Sequence, residues 1–95
     1  MKIPKKVLIC GREFTVKINK KQSGGSFTYD GCEIIVGGRY PHDMPNIFLH
    51  EVIEAVFAER GMRYKLYNDS NNQDYQFAFK HTEYENAVTD IVVAL

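Results

Sequence analysis

The sequence has few of the features that mark nucleic-acid-binding, membrane-spanning or secreted proteins. Its 95 residues include no tryptophan, and its twelve basic residues are balanced by twelve acidic ones. The formal net charge is zero, so the sequence does not indicate the basic surface that binds phosphate backbones, and nucleic acid is not an expected partner. No apolar run exceeds five residues, which argues against a transmembrane helix and the core of a signal peptide.

Cysteine is also scarce, and the two cysteines, Cys10 and Cys32, fit neither of the usual cysteine-based sites. A zinc ribbon needs four thiols, and a redox site needs a CxxC pair. Both cysteines lie in stretches of β-forming residues, so we expect them to be small buried hydrophobic residues. Nothing marks secretion, so the expected compartment is the cytoplasm, where a disulfide between them is disfavoured.

The chain does have enough apolar and aromatic residues for one core. Hydrophobic residues make up 44% of the sequence and aromatic residues 13%, which is typical of a folded protein. A chain of this length has no room for a second core. We therefore expect a single domain over residues 1–95.

Residues 1–38 have the pattern of short β-strands. A short apolar run at residues 7–10 precedes Gly11-Arg12, and apolar residues alternate with polar ones after it and around Asp30-Gly31. Alternation predicts strands with one buried face, and the glycine-containing dipeptides predict tight hairpins between them. We expect three or four strands, mainly antiparallel.

The second half of the chain has the pattern of two helices. The first helix is predicted over residues 43–60. Asp43 can act as its N-cap, and Gly61 lies at the position of a C′ glycine. The apolar stripe of this helix is predicted at Leu49, Val52, Ile53 and Val56. A polar loop at 68–74 and a short extended segment at 75–79 then lead to a helix over 81–95. The predicted fold class is α+β, a small, mainly antiparallel sheet of three to four strands packed against two helices.

Three polar residues, His50, Glu51 and Glu54, interrupt the apolar sequence of the first helix. At about 100° per residue they share one side of the helix, which we place opposite the stripe of Leu49 and Val52. Burying two carboxylates and an imidazole without partners is costly. Solvent, a protein partner or a metal ion must therefore stabilise these polar groups.

The segment 50–54 reads His-Glu-Val-Ile-Glu, a variant of the HExxH motif of helical zinc sites. Ligands four residues apart on a helix can both reach one Zn²⁺ at about 2.0–2.2 Å. Glu51 then faces the open position of the metal, where it can take a proton from a zinc-bound water. Glu54 replaces the second histidine, and its carboxylate is an accepted zinc ligand. Its negative charge should make the bound water less acidic.

With these residues the chain resembles the short zincin-like metallopeptidases of phages and prophages, which are related in plan to SprT-like and ImmA/IrrE-like zincins. The resemblance is most specific over residues 48–61, where Leu49-His50-Glu51 and Glu54-Ala55 follow the pattern L-H-E-x-x-H-A apart from the second histidine. It implies a zincin-like fold, a Zn²⁺ cofactor and a third metal ligand on the second helix. The candidates for that ligand are His81 and Glu85.

The start of the second helix decides between these two candidates. Thr82 and Glu85 have the spacing of a capping box, which would occupy Glu85 and leave the ring of His81 free to turn toward the metal. If the helix begins earlier, near Phe79, His81 and Glu85 lie one above the other and could chelate together. We favour His81 because imidazole is the commonest metal ligand, and we keep Glu85 in reserve.

The expected function is that of a minimal zincin-like metal-binding protein with metallopeptidase activity, in which Glu51 is the general base. A peptide or protein could bind as an added strand along an exposed sheet edge, for which the run 32–36 is our candidate. A non-catalytic interaction module of a phage or mobile element that retains the fold is the alternative. A hydrolase of other substrates would use the same site. A polar strip that faces a solvent-filled groove or an interface would account for the presence of the three polar residues without a metal.

Overall fold

The computed structural model describes residues 2–28, 30–65 and 75–95, and it has the predicted α+β architecture. The main sheet has the strand order β1-β2-β4-β3. Its strands are β1 (Lys6–Ile9), β2 (Arg12–Asn19), β3 (Gly25–Thr28) and β4 (Glu33–Gly37). The remaining elements are the helices α1 (Met44–Glu59) and α2 (His81–Ala94) and a small antiparallel sheet of β5 (Arg63–Lys65) and β6 (Tyr75–Phe77).

The central pairing of the main sheet is parallel, which the sequence did not predict. The pairs β1–β2 and β3–β4 are antiparallel hairpins, as expected, whereas β4 inserts between β2 and β3 and runs parallel to β2. The expectation that the run 32–36 forms an exposed edge is therefore wrong, because its strand β4 has a neighbour on each side. The edges of the main sheet are β1 and β3.

The first hairpin turn explains why Cys10 is not the buried hydrophobic residue that we expected. Cys10 and Gly11 both have positive φ, 49° and 82°, which is the requirement of a two-residue type I′ turn. Cys10 is exposed, and its thiol donates a hydrogen bond to Asp90 of α2 at 3.4 Å. Loss of water around the sulfur, together with this bond and the charge of Asp90, raises the pKa of Cys10 to about 11. Cys32 is half-buried and accepts a hydrogen bond from Arg12 at 2.9 Å, and the two cysteines form no disulfide.

One hydrophobic core joins the main sheet to both helices. Alternate residues of β1, β2 and β4 point into it, as the period of two predicts. Each large side chain in such a core stabilises the fold by about 1.5–3 kcal/mol. The buried apolar residues are Val7, Ile9, Phe14, Val16, Ile34, Val36, Phe48, Val52, Ala55, Val56, Met62, Ala87 and Ala94.

Helix α1 ends as its sequence predicts, but its first turn is built differently. Gly61 has a φ of 68° and donates to the carbonyl of Ala58, while Met62 donates to the carbonyl of Phe57. These two bonds form a Schellman motif, so the predicted C′ glycine is confirmed. At the other end the side chain of Asp43 makes no capping hydrogen bond, because a 3₁₀ turn over Pro41–Asp43 runs directly into the helix.

The buried face of α1 is rotated relative to the predicted stripe. Phe48, Val52, Ala55 and Val56 are buried as part of the core, whereas Leu49 is 37% exposed. Leu49 is therefore not part of the face that packs on the sheet. The rotation places Glu51 on the buried face instead of opposite it.

Helix α2 begins one residue before the predicted cap. Lys80 is its N-cap and His81 its first residue, so Thr82 lies inside the helix and the predicted capping box is absent. The extended segment predicted at 75–79 is confirmed in its first three residues, which form β6. The loop predicted at 68–74 lies outside the described residues. None of the described helices combines the length and the apolar character that a membrane span requires.

Candidate metal centre

Helix α1 brings together the three polar residues that the sequence singles out. His50 and Glu54 are one helical turn apart, and Nε2 of His50 lies 2.7 Å from Oε2 of Glu54. The same nitrogen lies 3.9 Å from Oε2 of Glu51. One nitrogen or oxygen donor from each of the three residues lies within 4.8 Å of the others.

Glu51 differs from its two neighbours in burial. Its residue is 6% exposed, and it is the buried charged residue of the part that the structure describes. The side chain of His50, by contrast, is 66% exposed. Burial raises the pKa of the Glu51 carboxyl above its ordinary value; the negative charge of Glu54 adds to this effect, and His50 and Arg63 oppose it.

The edge strand β3 packs unusually close to α1 at Glu51. A Cβ atom on Gly25 would lie 2.9 Å from Cγ of Glu51 and 2.6 Å from Cγ2 of Ile47. Both distances are shorter than side chains allow, so this approach needs glycine at position 25. The close approach explains how a glutamate of α1 becomes buried against the sheet.

Arg63 of β5 is a further charged residue at the site, and the sequence analysis missed it. Its Nε lies 3.7 Å from Oε1 of Glu54, so Glu54 stands between Arg63 and His50. Its guanidinium lies 3.6 Å from the centroid of the Tyr75 ring and 5.0 Å from that of Phe27. Local sequence around Arg63 carries no signal of this role, because its contacts come from β3, β6 and α1.

Two adjoining grooves open beside these side chains. One, of about 470 Å³, lies between β3, α1 and the β5–β6 sheet and is lined by Arg63 and Tyr75. The other, of about 580 Å³, lies between the segment 24–25 and the first half of α1. His50 and Glu51 line both grooves.

The structure does not bring His81 or Glu85 into this group. Nδ1 of His81 lies 2.8 Å from Oε1 of Glu85, and both side chains are exposed. The helix begins at His81, between the two starts that we considered, and this start places them one above the other. They pair with each other, and within the described residues the donor group consists of His50, Glu51 and Glu54.

The donor chemistry of the group fits a zinc ion. One imidazole nitrogen and carboxylate oxygens are ordinary zinc ligands. With bonds of about 2.1 Å, the donors of a tetrahedral zinc site lie about 3.4 Å apart. The separations of 2.7 Å and 3.9 Å from His50 to the two glutamates lie on either side of that value. His50 and Glu54 would hold the ion, and Glu51 stands where it can either join them or act as a base.

No model of a protein family matches the chain, and comparisons with curated proteins and with solved structures find no significant match either. The resemblance to zincins therefore depends on the sequence motif, and the zincin-like fold stays a prediction.

Proposed function

We propose that this protein is a minimal zincin-like metal-binding protein that hydrolyses peptides, with Glu51 as the general base. The convergence of His50, Glu51 and Glu54 within 4.8 Å is the observation that carries the proposal. The spacing His-Glu-x-x-Glu places two ligands on one helical face with a carboxylate beside them. The order differs from the zinc-hydrolase motif His-Glu-x-x-His in its last residue, and the carboxylate of Glu54 is also a zinc ligand.

Each residue of the group has a distinct role in this proposal. His50 and Glu54 hold the ion, which when bound supplies Lewis acidity and lowers the pKa of its water toward 7. Glu51 accepts a proton from the attacking water and returns it to the leaving amine. A carboxylate in this position of the motif is the general base of helical zinc sites.

The edge strand β3 is the place that we propose for the peptide. Within the described residues β3 pairs with β4 alone, so its other edge can accept an added strand. Gly25, Ser26 and Phe27 of this strand line the same groove as Glu51. A peptide on β3 would thus pass the proposed base. This assignment replaces the interior run 32–36 with β3.

A non-catalytic interaction module is the second candidate, and one observation favours it. Glu54 already has two partners, His50 at 2.7 Å and Arg63 at 3.7 Å, which stabilise its charge without a metal. In this version the grooves bind a protein partner and Glu51 does no chemistry. The two cysteines form no disulfide, which agrees with a reducing cytoplasm, the compartment that we propose for either candidate.

Glu51→Gln separates the two candidates. The substitution preserves size and removes the base, so turnover of a peptide panel should fall by about 10²–10⁴-fold. Zinc affinity, measured by competition with a chromophoric chelator, should stay near that of the wild type if His50 and Glu54 are the ligands. Equal turnover in Glu51→Gln and wild type would contradict the catalytic role of Glu51. Zinc binding without turnover of any peptide would favour the interaction module.

A further inference from the structure

Arg63 is held in a fixed position at the wall of the groove. Its guanidinium lies over the rings of Tyr75 and Phe27, at 3.6 Å and 5.0 Å from their centroids. Such cation–π contacts restrict the rotation of a long side chain. The side chain is 17% exposed, and Arg63 lines the same groove as Glu51 and Glu54.

The hydrogen-bonding capacity of Arg63 is incompletely used. Within the described residues its Nε is a buried nitrogen without a hydrogen-bond partner. The carboxylate that faces it, that of Glu54, lies 3.7 Å away, beyond hydrogen-bond range. Oε2 of Glu54 is directed at His50 instead. Arg63 is therefore positioned near negative charge without a close bond to it.

Binding of a dication changes the sign of the charge at this site. With His50 neutral, the two carboxylates and the guanidinium carry one net negative charge. A dication between His50 and Glu54 turns this into one net positive charge and engages the carboxylate that faces Arg63. The guanidinium then lacks a counter-charge in a partly buried place, where an unpaired charge is costly.

We propose that Arg63 binds a carboxylate of the peptide substrate, and that it does so together with the metal ion. This inference rests on the proposed function and names the substrate class, peptides that present a carboxylate in the groove. The planar fork of a guanidinium matches a carboxylate in two parallel hydrogen bonds. Phe27, which packs on Arg63, belongs to the edge strand β3, so a peptide along β3 passes the guanidinium.

The carboxylate could come from the C-terminus of the peptide or from an acidic side chain. Three acetylated alanine peptides separate these sources: one with an amidated end, one with a free C-terminal carboxylate, and one amidated with a single glutamate. Their binding is measured by calorimetry with and without Zn²⁺ in a Glu51→Gln background, which lacks the proposed base, and mass spectrometry confirms that they stay intact.

The two carboxylate peptides, or one of them, should bind roughly 5–150-fold more tightly when zinc is present. Because such coupling is reciprocal, the same peptide should tighten zinc binding by the same factor. Zinc should leave the affinity of the amidated alanine peptide nearly unchanged. The peptide that responds identifies the source of the carboxylate.

Variants of Arg63 distinguish this role from a structural one. Arg63→Gln should abolish the coupling and bind zinc at least as tightly as the wild type, because a nearby positive charge has been removed. Arg63→Lys restores the charge without the fork and should recover only part of the coupling. Arg39→Gln is the matched control: Arg39 also lies over a tyrosine ring, that of Tyr40, but it does not line the groove.

The outcomes separate this inference from the proposed function. Zinc binding without any difference among the three peptides would overturn the inference and leave the zinc site standing. Weaker zinc binding in Arg63→Gln, with the coupling retained, would show that Arg63 only supports the fold. Failure of the wild-type protein to bind zinc would overturn both.

Discussion

At the scale of single residues, Glu51 has the most consequential environment in the described part of the chain. It is buried against β3, its neighbour Glu54 is also negative, and its compensation comes from His50 and Arg63. An ionised carboxylate in such a place is destabilising unless a cation approaches it. The metal-free protein should therefore be less stable than the same fold without this charge.

This environment predicts how the stability of the metal-free protein depends on pH. Burial raises the pKa of Glu51 above the value of 4.5 expected in the unfolded chain. The contribution of the protonated group to stability is thus fully present below pH 4.5 and is lost as pH rises through the higher folded pKa. Glu51→Gln cannot ionise, so this loss should disappear from its urea-unfolding curves in the presence of a chelator.

Glu13→Gln provides the control for this experiment. Glu13 is an exposed glutamate that pairs with Lys6 on the surface of the sheet. Its substitution should leave the decline above pH 4.5 as steep as in the wild type. An unchanged decline in Glu51→Gln would show that ionisation of Glu51 does not destabilise the fold.

The residues of the candidate site were predictable because the motif is local. His50, Glu51 and Glu54 lie within one and a half turns of a single helix, so their proximity follows from helical geometry alone. The burial of Glu51 was not predictable in this way. Apolar residues at 49 and 53 suggested a different buried face, and the packing of α1 on β3 decided between them. Arg63 joins the site from another element, which spacing cannot reveal.

At the scale of elements, the approach of β3 to α1 determines where the base of the site lies. The absence of a side chain at Gly25 lets the strand contact Ile47 and Glu51 directly. A side chain there would push the helix and the strand apart. The position of Glu51 relative to the grooves depends on this one contact.

Gly25→Ala should therefore both destabilise the protein and weaken the site. Overpacking of this kind costs about 1–3 kcal/mol, because the added methyl would lie 2.6 Å from Ile47 and 2.9 Å from Glu51. Peptide turnover should fall with it, since Glu51 is displaced, whereas zinc affinity should change less, because His50 and Glu54 hold the ion. Urea unfolding and a peptide-turnover assay measure the two effects.

Gly24→Ala is a matched control one residue away. A Cβ atom at Gly24 meets nothing within 4 Å, so this variant should have the stability and zinc affinity of the wild type. Equal effects of the two substitutions would contradict the importance of the β3–α1 contact, because only one of the two positions is sterically closed.

The elements themselves were better predicted than their boundaries and pairing. Sequence pattern and glycine turns predicted both hairpins, although the turn expected at Gly11-Arg12 lies one residue earlier, and Gly61 predicted the end of α1, because each of these signals is local. The parallel pairing of β2 with β4 was missed, since it joins strands that are distant in sequence. The predicted capping box at Thr82 was wrong because α2 begins at His81. Glu85 pairs with the side chain of His81 instead.

At the scale of the whole molecule, one core links the site to the stability of the protein. The face of α1 that carries Glu51 also contributes Phe48, Val52 and Val56 to the core. Any ligand that binds the folded arrangement of α1 will therefore stabilise the entire packed unit. The fold class was predictable because composition and periodicity determine which elements form, whereas the site depends on how they pack.

The melting temperature of the protein with and without Zn²⁺ tests the account most directly. If His50, Glu51 and Glu54 form a metal site, zinc at about a hundred times its dissociation constant should add about 2.7 kcal/mol. For a protein of this size that corresponds to a rise of roughly 10–20 °C. His50→Ala should melt at the same temperature with and without zinc. A wild-type melting temperature indifferent to zinc, or an equal rise in His50→Ala, would contradict the metal site.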